Sequence, residues 1–220
     1  MNAFLNPRRL TLGVLWLGLL IFAFVFAPPD NPDTLTLIVN LSTGQWQGIN
    51  PSIIALFNAM GIWPFVYAAV ILVDGRGQKF PAYPFVIGSF FLGAFVLIPY
   101  LILREENPHF EGSLTWPVRV YESRITAVVL LISGLGLLWW GLVTGNWQDF
   151  IEQWQHSRFL AVMSSDFCCL SLLFPFLVAD DMKRRGQLPT LGLWMTVLIP
   201  FVGALLYLVL RPPLNPEPTA

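Results

Sequence analysis

The sequence predicts an all-α integral membrane protein with six transmembrane helices, arranged as two three-helix repeats of opposite orientation. Three observations predict this fold class: an apolar composition, six long apolar stretches, and polar motifs that occur twice in the same order. The chain has 220 residues, of which 55% are hydrophobic and 11% are charged. Little polar sequence therefore remains for a separate water-soluble domain.

Each of the six apolar stretches is long enough to cross a lipid bilayer. A helix rises about 1.5 Å per residue, so about 20 apolar residues span a hydrocarbon core of about 30 Å. The stretches lie at 10–27, 52–73, 84–103, 125–143, 159–179 and 190–210. The first follows Arg8 and Arg9, as in a signal peptide, but its apolar run is longer than a typical signal core. We therefore interpret it as a membrane helix.

Short polar motifs indicate an internal duplication. Residues 43–47 read TGQWQ, and residues 144–148 read TGNWQ. Further pairs follow in the same order: Pro64-Phe65 with Pro175-Phe176, Arg76-Gly77-Gln78 with Arg185-Gly186-Gln187, and 100–104 with 207–211. The repetition predicts an amino-terminal tail, a first repeat, a polar connector, a second repeat and a carboxy-terminal tail. Their bounds are 1–9, 10–104, 105–124, 125–211 and 212–220.

Three crossings per repeat would reverse the second repeat relative to the first. Inverted topology of this kind places Trp46 and Trp147 on opposite faces of the membrane. It also divides the twelve Lys and Arg residues equally between the two faces, so the charge rule for membrane proteins gives no orientation. Only Arg8 and Arg9, directly before the first helix, favour a cytoplasmic amino terminus.

The motifs of the second repeat carry a family resemblance. Residues 165–176, the turn 182–186 and the closing 207–211 resemble a family of short, uncharacterised three-helix bacterial membrane proteins. The first repeat is similar to the same pattern. In its two-repeat form, above all across 55–64 and 74–79, the chain resembles proteins of cyanobacteria and plastids. The resemblance implies a plasma or thylakoid membrane and supplies no mechanism.

Polar residues inside the apolar stretches form the candidate intramembrane site. Asp166 lies within the fifth stretch beside Ser164 and Ser165, and Asn58 has a comparable place in the second. A carboxylate at the centre of a membrane helix costs about 2.5 to 3.5 kcal/mol, so Asp166 should face the bundle interior. One interpretation is an ion or proton site near the midplane, and the other is a hydrogen bond that packs helices.

The remaining polar features favour structural roles. Asp180 and Asp181, followed by a basic run, are typical of a solvated turn at a helix end. Residues 147–159 predict a short amphipathic helix along the membrane surface. Cys168 and Cys169 are adjacent, which favours packing over a disulfide or a metal site. His109 and His156 are isolated, and we expect both on the surface.

These patterns contain no signature of catalysis, so we expect neither enzymatic activity nor a cofactor or metal site. A net charge of -1 argues against a nucleic-acid partner and leaves the lipid bilayer as the expected one. The leading hypothesis is a non-enzymatic protein that packs with, or assists assembly of, a larger membrane complex. The alternative is a small secondary transporter or channel that uses Asp166 and Asn58.

Overall fold

The computed structural model describes residues 6–107, 110, 114–188 and 191–214, and this part of the chain is helical. His109, parts of the connector and the outermost residues of both tails lie outside the described residues. The helices are α1 (Pro7–Ile21), α2 (Thr34–Thr43), α3 (Pro51–Asp74), α4 (Tyr83–Leu92), α5 (Ala94–Leu103), α6 (Trp116–Glu122), α7 (Arg124–Thr144), α8 (Trp147–His156), α9 (Arg158–Leu173), α10 (Pro175–Arg184), α11 (Leu191–Leu198) and α12 (Val202–Leu210).

Four helical segments in the described residues are long and apolar enough to cross a membrane. They are Pro7–Phe26, in which α1 continues into a π-helical turn, Pro51–Asp74, Arg124–Thr144 and Arg158–Arg184, which joins α9 to α10. The prediction of membrane-capable helices is thus confirmed for four of the six stretches. The expected single crossings at 84–103 and 190–210 are not confirmed, because each of these stretches is broken in the middle.

The third apolar stretch folds back on itself as a helical hairpin, which we call hairpin 1 (residues 83–103). Its two helices, α4 and α5, pack side by side. The rings of Phe85 and Tyr100 lie 5.3 Å apart, as expected only if the chain reverses between them. The reversal occurs at Gly93, whose φ of 46° and ψ of -124° suit a residue without a Cβ. Each helix has 10 residues and rises about 15 Å, half of a hydrocarbon core.

The sixth apolar stretch forms a second hairpin, hairpin 2 (residues 191–210), from α11 and α12. A Cβ placed on Gly203 would collide with the backbone of Met195, so the two helices are in close contact. The turn contains Pro200, which cannot continue the helical hydrogen-bond ladder, and Phe201, which has a φ of 63°. At Pro200 and Phe201 the chain therefore reverses its direction and does not continue as one helix.

The two hairpins overturn the predicted inversion. Each half of the chain contains two long helices and one hairpin, so both halves run in the same direction. The rings of Trp46 and Trp140 lie 6.1 Å apart, and Asn50 Nδ2 donates to the carbonyl of Asn146 at 2.7 Å. Trp46 and Trp147 therefore lie at the same end of the helix bundle, which we call the tryptophan end. The expectation that they lie at opposite faces is wrong.

The opposite end of the bundle, the arginine end, collects the carboxy-terminal ends of α3, α5, α10 and α12. Arg104, at the end of hairpin 1, bonds to Asp74 at the end of α3. Arg211, at the end of hairpin 2, lies 3.4 Å from Asp181 in α10. Each hairpin therefore begins and ends at the arginine end, which is the geometry of a segment that enters the bundle and returns.

Aromatic side chains fill the bundle between the hairpins. Trp63 of α3 is fully buried and contacts the rings of Tyr67, Phe174 and Phe201 at 5.6, 6.0 and 5.3 Å. The hydroxyl of Tyr67 donates to the carbonyl of Leu170 at 2.6 Å, just before the α9–α10 junction. The carbonyl of Leu170 also accepts from the N–H of Phe174 at 3.2 Å, so the hydroxyl of Tyr67 adds a second bond that ties α3 to the end of α9.

The amphipathic helix predicted at 147–159 is present as α8, Trp147–His156. Asn146 caps its amino terminus by accepting hydrogen bonds from the N–H groups of Gln148 and Asp149. Trp147 and Ile151 are about half exposed. The helix lies at the tryptophan end, where α3 begins, and it presents these apolar side chains outward.

Candidate functional site

Asp166 lies beside the tip of hairpin 1 and is 6% exposed. Its Oδ1 accepts a hydrogen bond of 2.7 Å from the backbone N–H of Ala94, the first residue of α5. A carboxylate at a helix amino terminus is stabilised by the unpaired N–H groups and by the helix dipole. Asp166 therefore caps α5 from a neighbouring helix, which is a contact that holds the hairpin in the bundle.

The close approach of Asp166 depends on Gly93. A Cβ at Gly93 would collide with the carboxylate of Asp166. The positive φ of Gly93 excludes most other residues for a second, independent reason. The glycine thus serves both the chain reversal and the contact with the carboxylate.

The structure does not bring the other candidate residues to Asp166. Asn58 donates to the carbonyl of Ile54 within its own helix at 2.8 Å. Phe57 contacts Phe159, which places Asn58 beside the first turn of α9, about 10 Å along the axis from Asp166.

The two serines next to Asp166 are occupied as well. Ser164 donates to the carbonyl of Leu160 at 2.7 Å, and Ser165 donates to the carbonyl of Ala161 at 2.9 Å. Asn58, Ser164 and Ser165 therefore bond within their own helices, whereas Asp166 bonds to α5, and these hydrogen bonds do not converge on a common centre.

A buried ion-pair network lies at the arginine end, and the sequence patterns do not predict it. Its first part surrounds Asp74, which is 0% exposed at the end of α3. Asp74 accepts hydrogen bonds from the hydroxyl of Tyr100 at 2.7 Å and from Arg104 Nε and Nη2 at 2.7 and 2.5 Å. Arg184 Nη1 adds a fourth bond at 2.9 Å.

The second part of the network repeats this arrangement around Asp181. The hydroxyl of Tyr207 donates to Asp181 Oδ2 at 2.7 Å, and Arg211 Nη1 donates to the same oxygen at 3.4 Å. Arg185 adds bonds to Asp181 and a pair of bonds to Glu122 at 2.8 and 2.7 Å. Each hairpin is thus tied by a Tyr and an Arg to an aspartate on the preceding long helix.

Ion pairs also join the two halves of the chain. Arg104 Nη2 of the first half lies 2.6 Å from Asp180 Oδ2 of the second half. Arg184 of the second half reaches Asp74 and the carbonyl of Asn107 in the first. The expectation of a solvated turn at 180–185 is therefore wrong, because Asp180 and Asp181 are 4% and 0% exposed. The hairpin ends cover these charges and supply their partners.

The buried arginines of the network are stabilised by the carboxylates that surround them. Burial alone would lower the pKa of Arg185, but Asp181 and Glu122 outweigh it and raise that pKa above its ordinary value. The same opposition acts on Arg104, where burial lowers the pKa and the carboxylate of Asp74 raises it, with a net increase. Removal of one partner would leave an uncompensated buried charge, which strongly destabilises a folded protein.

The sequence contains a signal for this network. Asp74 precedes Tyr100 by 26 residues and Arg104 by 30, and Asp181 precedes Tyr207 and Arg211 by the same two spacings. The matching Tyr-to-Arg segments are visible in the sequence, but the aspartates lie near the ends of α3 and α10, where the sequences of the two halves align poorly. Equal spacing across the hairpin is the feature that would have linked them.

No metal-binding cluster of three or more His, Cys, Asp or Glu side chains occurs in the described residues. Comparison with known proteins gives no family model, no curated protein and no solved structure that matches the chain. The class that the fold defines is a helical protein with four membrane-capable segments.

Proposed function

We propose that this chain is a non-enzymatic integral membrane protein that packs with, or assists assembly of, a larger membrane complex. The observation that carries the proposal is the use of Asp166, the deeply placed carboxylate, as a cap for α5. A residue committed to an internal helix contact is poorly available to a moving ion. The same carboxylate is in steric contact with Gly93, which leaves little room for a hydrated cation between them.

The filled interior supports the same proposal. Trp63, Tyr67 and Phe174 are fully buried between the hairpins, where a transport path would need polar lining. The buried charges at the arginine end are paired with one another across both halves of the chain. The geometry favours a rigid membrane body whose outer apolar faces meet lipid or other membrane proteins.

We propose that the arginine end faces the cytoplasm, which gives the amino terminus a cytoplasmic location. The distribution of positive charge supports this orientation. Of the twelve Lys and Arg residues, Arg158 alone lies at the tryptophan end, where Arg158 Nε donates to the carbonyl of Pro28. Positive residues concentrate on the cytoplasmic side of membrane proteins. The equal division predicted from six crossings does not survive, because each hairpin returns the chain to its starting side.

We further propose a plasma or thylakoid membrane as the site, with a photosynthetic complex as the candidate partner. The support is the sequence resemblance to proteins of cyanobacteria and plastids.

Native separation tests the assembly proposal. Membranes containing the protein are solubilised in mild detergent and separated under native conditions. We expect the protein to migrate with a complex much larger than its own mass of 24.8 kDa. A profile that contains only the monomer, in detergent that leaves other membrane complexes intact, would contradict the proposal.

A transporter or channel is the second candidate, and one observation favours it. Helices that break within the bundle and place their ends beside a carboxylate are typical of transporter sites. Hairpin 1 has this geometry at Asp166.

Ion flux distinguishes the two candidates. The purified protein and its Asp166→Asn variant are placed in vesicles with a proton-sensitive or sodium-sensitive dye inside. The assembly proposal expects the same flux from both as from protein-free vesicles. Because Asn keeps an oxygen that can accept from Ala94, the variant should fold. Flux through the wild-type protein that the folded variant lacks would favour transport.

A further inference from the structure

Three arginine side chains at the arginine end carry buried N–H groups without a hydrogen-bond partner among the described residues. They are Arg8 Nε and Nη2, Arg104 Nη1, and Arg184 Nε and Nη2, the last of which has only a long ion-pair contact of 3.6 Å with Asp181. A buried donor without a partner costs about 1 to 3 kcal/mol, and in native proteins it often marks a bound water or ion. We propose that these groups form a binding site for a phosphate group, of the kind that an anionic lipid presents at the membrane surface.

The three guanidinium groups belong to one region. Arg104 Nη2 and Arg184 Nη1 both bond to Oδ1 of Asp74, at 2.5 and 2.9 Å. Arg8 lies within electrostatic range of Arg104, Asp74 and Asp180. Arg104 and Arg184 are 4% and 7% exposed, whereas the side chain of Arg8 is 21% exposed. Arg8 is therefore the most exposed of the three arginines, and Arg104 and Arg184 lie deeper in the protein.

The charge balance of the network favours an anion in this region. Around Asp181, the carboxylates of Asp181 and Glu122 pair with Arg185 and Arg211, and Arg184 Nη2 also lies 3.6 Å from Asp181 Oδ1. The remainder of the network has one more positive group than negative groups. Its cations are Arg8, Arg104, Lys183 and Arg184, and its carboxylates are Asp74, Glu106 and Asp180. One phosphodiester carries the single negative charge that balances them.

A cavity of about 440 Å³ at the arginine end lies next to the cluster, and two residues of its wall bond to the arginines. Its wall includes Glu106, which pairs with Arg8 at 3.8 Å, and Asn107, whose carbonyl accepts from Arg184 at 2.9 Å. The cavity wall follows the end of the membrane-capable segment Pro51–Asp74, so in a bilayer the cavity would lie near the lipid headgroups. Guanidinium groups bind phosphate oxygens through parallel N–H donors, and basic pockets between membrane helices bind anionic headgroups.

Thermal unfolding of the purified protein in detergent tests the site. Phosphatidylglycerol, phosphatidylcholine and inorganic phosphate are added separately. We expect phosphatidylglycerol, at about a hundredfold excess over its Kd, to raise the unfolding midpoint by roughly 5 to 10 °C, and phosphatidylcholine to leave it unchanged. The Arg8→Gln variant should bind phosphatidylglycerol about five- to tenfold more weakly.

Two further variants control for nonspecific charge and for folding. Arg119→Gln removes an exposed cation from the same end of the bundle and should respond as the wild type does. Arg8 makes an ion pair with Glu106 at 3.8 Å and contributes no described hydrogen bond to Asp74, so Arg8→Gln should keep its midpoint without lipid. If it does not, Arg8→Lys retains the charge and serves as the folded variant, with weaker binding than the wild type.

The outcomes separate the two sources of the phosphate. A shift with phosphatidylglycerol alone assigns the site to a lipid headgroup, and an equal shift with inorganic phosphate assigns it to the free anion. No shift with either, or an Arg8→Gln response equal to that of the wild type, would overturn the site. Because the measurement uses the isolated protein, its result is independent of whether the chain joins a larger complex.

Discussion

At the residue scale, Gly93 and Asp166 together stabilise the turn of hairpin 1. The glycine allows a chain reversal that a Cβ would prevent, and it lets the carboxylate reach the N–H of Ala94. The cap in turn stabilises the amino terminus of α5, which is buried inside the bundle. Without Asp166, the buried N–H of Ala94 would lose its acceptor, with no bulk water to replace it. Without Gly93, the carboxylate could not approach that N–H.

Substitution of Gly93 tests this dependence. We expect Gly93→Ala to lower the free energy of unfolding by at least about 2 kcal/mol, from backbone strain and the collision with Asp166. Gly136→Ala is the matched control, because a Cβ at Gly136 meets open space in the middle of α7. That variant should be neutral or more stable by about 0.5 to 1 kcal/mol. Unfolding in detergent provides the measurement, and equal stability of the two variants would contradict the role of Gly93.

The turn of hairpin 2 is stabilised differently, since its positive-φ residue is a phenylalanine and not a glycine. Phe201 adopts a positive φ of 63°, which costs a non-glycine residue about 1 to 3 kcal/mol. Its ring is buried and contacts Trp63 at 5.3 Å and Phe167 at 5.4 Å. Aromatic packing thus holds this strained residue, whereas a carboxylate cap and a glycine hold the tip of hairpin 1.

At the element scale, each hairpin is fastened at its closing end by one aspartate. The aspartate ends the preceding long helix or lies in it, and the Tyr and Arg that bind it are on the last turn and at the end of the hairpin. Two short helices of about 15 Å have limited capacity to hold themselves in place. The ion pairs therefore help to hold the two short helices in position, which a continuous crossing helix would achieve through contacts along its whole length.

Loss of either aspartate should loosen its hairpin. We expect Asp74→Asn and Asp181→Asn each to lower the free energy of unfolding by about 3 to 5 kcal/mol, because each leaves buried guanidinium groups without a counter-charge. Glu152→Gln removes an exposed carboxylate from α8 and should change stability by less than about 0.5 kcal/mol. Chemical or thermal unfolding compares the three variants. A network of little consequence would give all three the same stability.

At the scale of the whole molecule, four membrane-capable segments and two hairpins place the loops differently from six crossings. The side-chain amide of Gln78, before hairpin 1, bonds to the backbone of Glu105, after it. Both ends of the hairpin are therefore on one side of the bundle. With six crossings the same two residues would be separated by the full thickness of the membrane.

Cysteine labelling decides between these topologies. Single cysteines are placed at Lys79 and at Glu105 in a chain whose Cys168 and Cys169 are replaced by alanine. We expect a membrane-impermeant thiol reagent to label both positions from the same side of the membrane. A cysteine at Gln155 provides the control and should be labelled from the other side, since α8 lies at the tryptophan end. Labelling of the first two positions from opposite sides would restore the six-crossing topology.

The sequence determined the class of this protein and much of its local structure. Apolar stretches of sufficient length predict membrane helices wherever they occur, because this follows from bilayer thickness and helix rise alone. The amphipathic α8 and the burial of Asp166 follow from local pattern and from the cost of a carboxylate in lipid. These features depend on a residue and its near neighbours in the chain.

Only the tertiary structure decided whether an apolar stretch crosses the membrane or returns. A stretch of twenty apolar residues has the same composition in a single helix and in a hairpin. The difference lies in whether other parts of the chain stabilise a turn in its middle. Here Asp166 accepts a hydrogen bond next to the turn at Gly93, and the aromatic cluster around Trp63 packs against the turn at Phe201. Both partners are distant in sequence. From these reversals follow the common direction of the two halves and the gathering of Arg104, Arg184 and Arg211 at one end.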